Sequence, residues 1–353
     1  VNSMSPYSSK ASALLGYAGL PCELEHQNVV TRYTVLKRLT GDTMVPVLRR
    51  GEWAINDSSR IARFAISQSS RPLLPEREAL EPVCWLLEEF ADEWLTRWVA
   101  HSRWHHRDDV AATREAIGEE MAAGVPGVER ALGRFSARGI KTSLEAGGIR
   151  SDNREALEQS RVRTLETLES LLEEGQGDWF ESYPTVAAFA LYGQLEQYRR
   201  DPTGAKRMRS YPAIGEWLDR LEQMTLPHPV VVDRTSRSLE LQQLNPLFAE
   251  LFGTYWRVLL ENARARERGD DEASVSLLDG TRFEWSVSRY LVQRLQVVLD
   301  QLETICRYDD VLLGEGRLRL EGLLSEQGER LSDEPFGPRL LESRPDLLRW
   351  LES

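Results

Sequence analysis

Cysteine is scarce in this chain: Cys22, Cys84 and Cys306 are the three among 353 residues, an odd number set far apart. That excludes a disulfide framework and suits a reducing compartment with free thiols, so a cytoplasmic location is expected. Histidine is nearly as rare, with five, and no Cys-x-x-Cys pair, Cys/His cluster or His-Glu-x-x-His run occurs. No metal site is therefore expected. The adjacent pair His105-His106 would project its rings about 100° apart on a helix, too far to share an ion. Long apolar runs are also missing; none approaches the ~18 residues of a membrane-spanning helix. Nor is there an excess of positive charge. With 44 basic against 56 acidic residues the net charge is -12, which argues against general binding to nucleic acid or an anionic membrane.

What is present suffices for two or three packed units, with 41% hydrophobic and 28% charged residues. The chain starts Val-Asn-Ser-Met with neither an initiator Met nor a signal-peptide pattern. A few residues are expected to precede Val1, because a first β-strand needs them.

Residues 1–68 mix short apolar runs with Gly and Pro punctuation. Lys10 to Tyr17 reads as a helix closed by Gly19-Leu20-Pro21, and Glu23 to Val30 as an extended segment. Val45 to Leu48, Arg49 to Glu52 and Trp53 to Ile55 read as strand, turn and strand, and Asp57-Ser58 opens a further helix. The unit is thus α/β. Residues 69–80 are polar and proline-bearing, as a linker should be. Beyond them, across 81–226, the period is helical: Val83, Leu86-Leu87, Phe90-Ala91, Trp94-Leu95 and Trp98-Val99 recur at three- and four-residue steps. Helices are also expected over Arg154 to Glu174, Thr185 to Arg200 and Pro212 to Met224, giving an all-α second domain.

Residues 227–353 form an addition. Leu247 to Leu259 phases as one helix, and 274–287 alternates around Asp279-Gly280. A three-residue loop, Leu278-Asp279-Gly280, pairs Val275 with Phe283 and Ser276 with Arg282. That register leaves one apolar and one polar face, with Gly280 left-handed. A hairpin followed by a helix from Ser286 to Arg307 is expected, wrapped on the all-α domain because a single apolar face needs cover.

The chemistry concentrates near the start. Ser5-Pro6-Tyr7-Ser8-Ser9-Lys10 precedes a helix whose N-terminus presents free N–H groups and a positive dipole end. A thiolate placed there is stabilised, and a hydroxyl adds a charge-assisted hydrogen bond. Val45-Pro46 sits at a strand start, and Asp57-Ser58 opens a helix whose N–H groups can meet a carboxylate. These features resemble the glutathione S-transferase superfamily, whose pattern runs SPxS-x-K/R, VPVL and E/D-S/T. Tyr183 to Gly193 is similar to that family's P-S-x-A-D-F-A-L-Y-G segment. The likeness covers about 1–66 and 80–224.

The resemblance implies a thioredoxin-like glutathione-binding domain followed by an all-α domain, and usually a homodimer. It implies glutathione as co-substrate, with the backbone of Val45 beside a cis Pro46 pairing with its cysteinyl part, and Asp57 and Ser58 binding its γ-glutamyl end. Ser5 occupies the family's serine or cysteine position and is the first choice for the thiol-activating hydroxyl. Tyr7 and Ser8 are the alternatives, and Ser8 or Ser9 reads equally well as a helix N-cap. Serine at position 5 disfavours thiol–disulfide exchange and favours attack of a glutathione thiolate on a small, apolar electrophile. A non-catalytic binding protein on the same fold, or a glutathione-dependent isomerase or lyase, are the other readings.

The family's helix-capping aspartate is Ala188 here, leaving Thr185 to cap alone. Trp94, Trp98 and Trp104 lie where the family places its hydrophobic substrate pocket, although such a stripe is more often plain core. His101 and Arg103 serve either a polar substrate or the solvated surface. The acidic run Glu88 to Glu93 reads as a solvated helix face.

Overall fold

The computed structural model describes residues 1–123, 125–174, 181, 183–225 and 241–307. Residues 227–240 and 308–353 of the expected C-terminal addition lie outside the described residues. The first unit opens with α1 (Pro6–Tyr17), followed by the short turns α2 (Val29–Thr31) and α3 (Lys37–Thr40). Then come β1 (Val47–Arg50), β2 (Trp53–Asn56) and α4 (Ser58–Gln68). Helix α1 starts four residues earlier than Lys10, because Pro at the first helical position is pre-set for it and Ser5 caps it.

Strands β1 and β2 form an antiparallel pair running from Val47–Asn56 to Arg50–Trp53, closed by Gly51 at φ +61. The extended segment expected over Glu23 to Val30 is not a strand. Asn28 accepts the Val30 and Thr31 N–H groups while Thr31 Oγ1 accepts that of Asn28, which starts a helical turn there. Two ladder-type bonds remain nearby: Val1 N–H to Glu25 O and Gln27 N–H to Val1 O, both 2.9 Å.

The helical body comprises α5 (Glu81–Phe90), a π turn at Ala91–Leu95, α6 (Thr96–His105), α7 (Arg107–Ala122) and α8 (Glu129–Ala146). It continues with α9 (Arg154–Glu174), α10 (Val186–Arg200), α11 (Pro202–Met208) and α12 (Pro212–Met224). The π turn has an identifiable partner set: Asp92 O accepts the Tyr7 hydroxyl at 3.0 Å and Glu93 O accepts Arg97 Nε at 3.1 Å. Thr185 stands at the N-cap of α10 but makes no side-chain capping bond, so it does not stand in for the missing aspartate.

The addition contains α13 (Asn245–Gly253), α14 (Tyr255–Arg268), β3 (Glu272–Ser276), β4 (Arg282–Ser286) and α15 (Arg289–Arg307). The helix expected across 247–259 is two helices, broken at Thr254. There the hairpin loop intrudes: Leu278 N–H takes Gly253 O at 2.8 Å, and a Cβ on Gly253 would lie 2.7 Å from that of Leu278. The hairpin has the expected register, Val275 with Phe283 and Ser276 with Arg282, with Gly280 at φ +81. Its apolar face carries buried Phe283 and Trp285. Phe283 meets Trp94 of the helical body at 5.3 Å between ring centroids, and Asn153 clamps the edge through both amide atoms to Glu284.

Helix α1 lies against α10, and Gly193 makes that approach possible. A Cβ there would sit 2.5 Å from Pro6 O and 2.9 Å from Lys10 Cβ. Gly193→Ala is therefore expected to lose about 1–3 kcal/mol by overpacking the α1–α10 contact. Urea denaturation would measure this, and an unchanged midpoint would remove the contact from the account.

Candidate functional site

Two helix N-termini shape the site. At α1, Ser5 Oγ accepts the Ser8 N–H at 3.2 Å and Ser5 O accepts the Ser9 N–H at 3.0 Å. Pro6 has no N–H, so among the described residues Tyr7 carries the one first-turn amide left for an outside acceptor. Because Ser5 Oγ accepts from Ser8, its own proton remains available to donate. Capping and donation to a thiolate are thus compatible at one hydroxyl.

At α4 the same arrangement recurs. Asp57 Oδ1 accepts the N–H groups of Ser59 and Arg60 at 2.8 and 3.2 Å, leaving the Ser58 amide. Asp57 sits at φ 78 and ψ 124, a region L-residues avoid, and such strain costs on the order of 1–3 kcal/mol. The Val45–Pro46 peptide is cis. Val47 pairs with Asn56 at the end of the ladder, and Pro46 and Asp57 are the residues that adjoin this pair in sequence. The hairpin therefore brings the cis-proline and the acid–hydroxyl pair to one edge, and α4 leads from there onto α1.

The other two hydroxyl candidates have their own partners. Tyr7 Oη donates to Asp92 O and Thr96 Oγ1 at the junction with the helical body. Burial, then Glu93 and Asp92, raise its pKa, so the phenol stays protonated. Ser8 is buried, and its hydroxyl accepts the Asn2 N–H at 3.1 Å. The Ser5 and Ser8 hydroxyls thus each accept one backbone N–H and keep a proton to donate, whereas the Tyr7 proton is taken by Asp92 O.

Behind the site lies a buried charged node. Lys10, 1% exposed, bonds Glu88 and, at 2.6 Å, Asp92. Ser59 Oγ donates to Glu88 at 2.5 Å and Ser58 Oγ to Asp92 Oδ2 at 3.3 Å. Burial opposes the Lys10 charge, but Asp92 and Glu88 outweigh it and raise its pKa. Burial pushes the Asp92 carboxyl up to about 7 against the pull of Lys10.

The acidic run is thus not solvated: Glu88, Glu89, Asp92 and Glu93 are all buried. Glu89 accepts the Tyr255 hydroxyl at 2.7 Å and pairs with Arg294 at 3.1 Å, and Glu93 accepts the Tyr290 hydroxyl. Helices α1 and α4 cover one part of this face, α14 and α15 the other.

The tryptophans are core. Trp94 and Trp98 are 0% and 1% exposed. Trp94 donates to Ser160 Oγ at 2.8 Å, and Trp98 packs edge-on against Tyr198. Trp104 closes a separate small cluster with Ile117, Met121 and Ala137. All three are buried, and the hairpin covers Trp94 through Phe283. Arg103 is buried rather than surface-exposed; it pairs with Asp201 at 2.9 Å and donates to Met4 O at 2.5 Å. With Gln197, whose amide reaches Ser3 O and Ser9 Oγ at 2.9 Å, it fixes the loop entering α1. His101 is buried and stacked on His105 at 4.2 Å. Among the described residues no cluster of three His, Cys, Asp or Glu is placed to hold a metal ion, and none of the helices is long and apolar enough to cross a membrane. Burial raises the Cys84 thiol to about 12.

Sequence reasoning did not single out Glu88, Asp92 and Gln197 as partners of these helix N-termini, and it left Arg103 between a polar substrate and the solvated surface. The lysine in SPYSSK was the one available signal, since a cation inside a buried helix face calls for carboxylates opposite.

Residues 3–72 match the family model described as Glutathione S-transferase, N-terminal domain. No curated protein matches the chain. A GST-like protein of known structure from Pseudomonas syringae is 20% identical over 62% of this chain and 64% of that one, with a TM-score of 0.42. The alignment thus spans less than two thirds of that protein's length. The similarity to the glutathione S-transferase family thus rests on the N-terminal domain, residues 3–72.

Proposed function

We propose that this chain is a glutathione S-transferase-like enzyme that activates the glutathione thiol for attack on a small, apolar electrophile, working in the cytoplasm as a homodimer. The observation that carries the reading is the pair of capped helix N-termini, each leaving one first-turn amide, with a donor hydroxyl at Ser5. Glutathione presents a thiol and a γ-glutamyl carboxylate, and the two N-termini suit these two anions. The Tyr7 amide, the Ser5 hydroxyl and the α1 dipole lower the thiol pKa, so the thiolate forms near neutral pH and its proton leaves to solvent. The thiolate then attacks an electrophilic carbon. The carboxylate binds at the Ser58 amide, and the Val45 backbone pairs with the cysteinyl part.

An isomerase or lyase would use the same thiolate. The extension over the helical body favours a second reading, a binding protein that keeps the groove without turnover. Calorimetric titration is expected to show glutathione binding with a Kd near ~1 mM, equivalent to about 4 kcal/mol. Absence of binding heat well above that concentration would sink the transferase and isomerase readings together.

A further inference from the structure

The Ser58 hydroxyl is not idle before a ligand arrives. It donates to Asp92 Oδ2 at 3.3 Å, across the junction between α4 and the π turn of the helical body. The second Asp92 oxygen, Oδ1, is buried without a hydrogen-bond partner. The Lys10 ammonium serves two carboxylates, Asp92 and Glu88, so the node holds more negative than positive charge. We propose that Asp92 is a positioning residue for the glutathione groove, and that it takes up a proton when the γ-glutamyl carboxylate binds at Ser58. This rests on the glutathione reading above.

Charge in a closed space drives the change. An incoming carboxylate at the Ser58 amide also takes the Ser58 hydroxyl, because a charged acceptor outside competes with one already bonded to Lys10. Asp92 then loses a donor and gains a negative neighbour, and both changes favour its neutral form. A proton from solvent adds to Oδ1, where no other donor stands, and the carboxylate becomes a carboxylic acid with no further bond made or broken.

The charged and titratable groups around it are accounted for. Lys10 and Tyr7 face Asp92 from α1. On its own helix stand Glu88, bonded to Lys10 and Ser59, Glu89, bonded to Tyr255 of α14, and Glu93. Arg97 is turned to the carbonyls of Glu93 and Gly147. Tyr290 and Arg294 reach Glu93 and Glu89 from α15. On α10, packed against the same turn, Glu196 pairs with Arg199 and Arg200.

The direction of the pH effect follows. A carboxyl near 7 in the free protein and higher in the complex is protonated in both states at low pH. Affinity is therefore flat below the free value and falls as pH rises above it, by up to about tenfold per pH unit.

The probe is S-methylglutathione, which keeps the γ-glutamyl end and has no thiol proton to release. Titration calorimetry of the full chain at ~pH 7.5, in two buffers of different ionisation enthalpy, reads the proton count. Net uptake is expected in the wild type, and loss of both the uptake and the pH dependence in Asp92→Asn. Should that variant fail to fold, Ser58→Ala, which removes the hydroxyl link but leaves Asp92 and the Ser58 amide in place, is expected to diminish the uptake, since one of its two causes is gone. Binding with no uptake, or with uptake undiminished in either variant, overturns this inference alone. Absence of binding by both S-methylglutathione and glutathione overturns it together with the glutathione reading.

Discussion

Replacing Ser5 with alanine is expected to lower glutathione-dependent turnover by about 10²–10³-fold, the usual effect of removing one donor from a developing anion. Affinity for glutathione should change far less, since the Ser58 amide and the Val45 backbone are untouched. The substitution also removes the α1 cap, worth about 1 kcal/mol of stability, so denaturation curves must accompany the kinetics. Ser5→Thr separates the two roles, because threonine keeps a hydroxyl able both to cap and to donate. A conjugation assay with an activated aryl halide, read as kcat and KM separately, is the measurement. Turnover in Ser5→Ala equal to wild type would remove Ser5 from the chemistry.

The second large effect concerns stability. Lys10→Met is expected to cost about 3–5 kcal/mol, because it strands buried carboxylates without their cation. The loss arises less from the missing attraction than from Glu88 and Asp92 left without their cation in a space with little water. Neutralising them too, as Lys10→Met with Glu88→Gln and Asp92→Asn, should recover much of it, as polar amides replace unpaired charge. Urea denaturation of the single and triple variants provides the comparison. A Lys10→Met loss below about 1 kcal/mol would mean that the node behaves as a surface pair.

Much of the first unit could be read from local chemistry. SPYSSK, VPVL and Asp57-Ser58 are short-range signals: a cap, a strand start and a second cap, each decided within a few residues. The β3–β4 register was legible for the same reason, since a one-residue slip would have mixed the faces holding Phe283 and Trp285. What escaped depends on partners far along the chain. Glu89 and Glu93 look like any solvated acidic face until Arg294 and Tyr290, some two hundred positions away, are folded onto them. Tyr7 read as a possible thiol donor because nothing local reveals that its hydroxyl meets a carbonyl at a π turn. The tryptophan stripe was ambiguous because core and pocket linings share a period. Its burial depends on partners distant in sequence, Phe283 over Trp94 and Tyr198 against Trp98.

The π turn at Ala91–Leu95 has one more consequence. One extra residue in a helical turn advances the azimuth of everything beyond it by about 100°. It thereby acts as a gear between the two halves of one long helix. On the near side, Glu88 points towards α1 and α4; on the far side, Arg103 is dialled onto Met4 O and Asp201. The loop entering α1 and the N-terminus of α4 are thus indexed to a single rotational setting, held by a backbone irregularity and not by any one side chain.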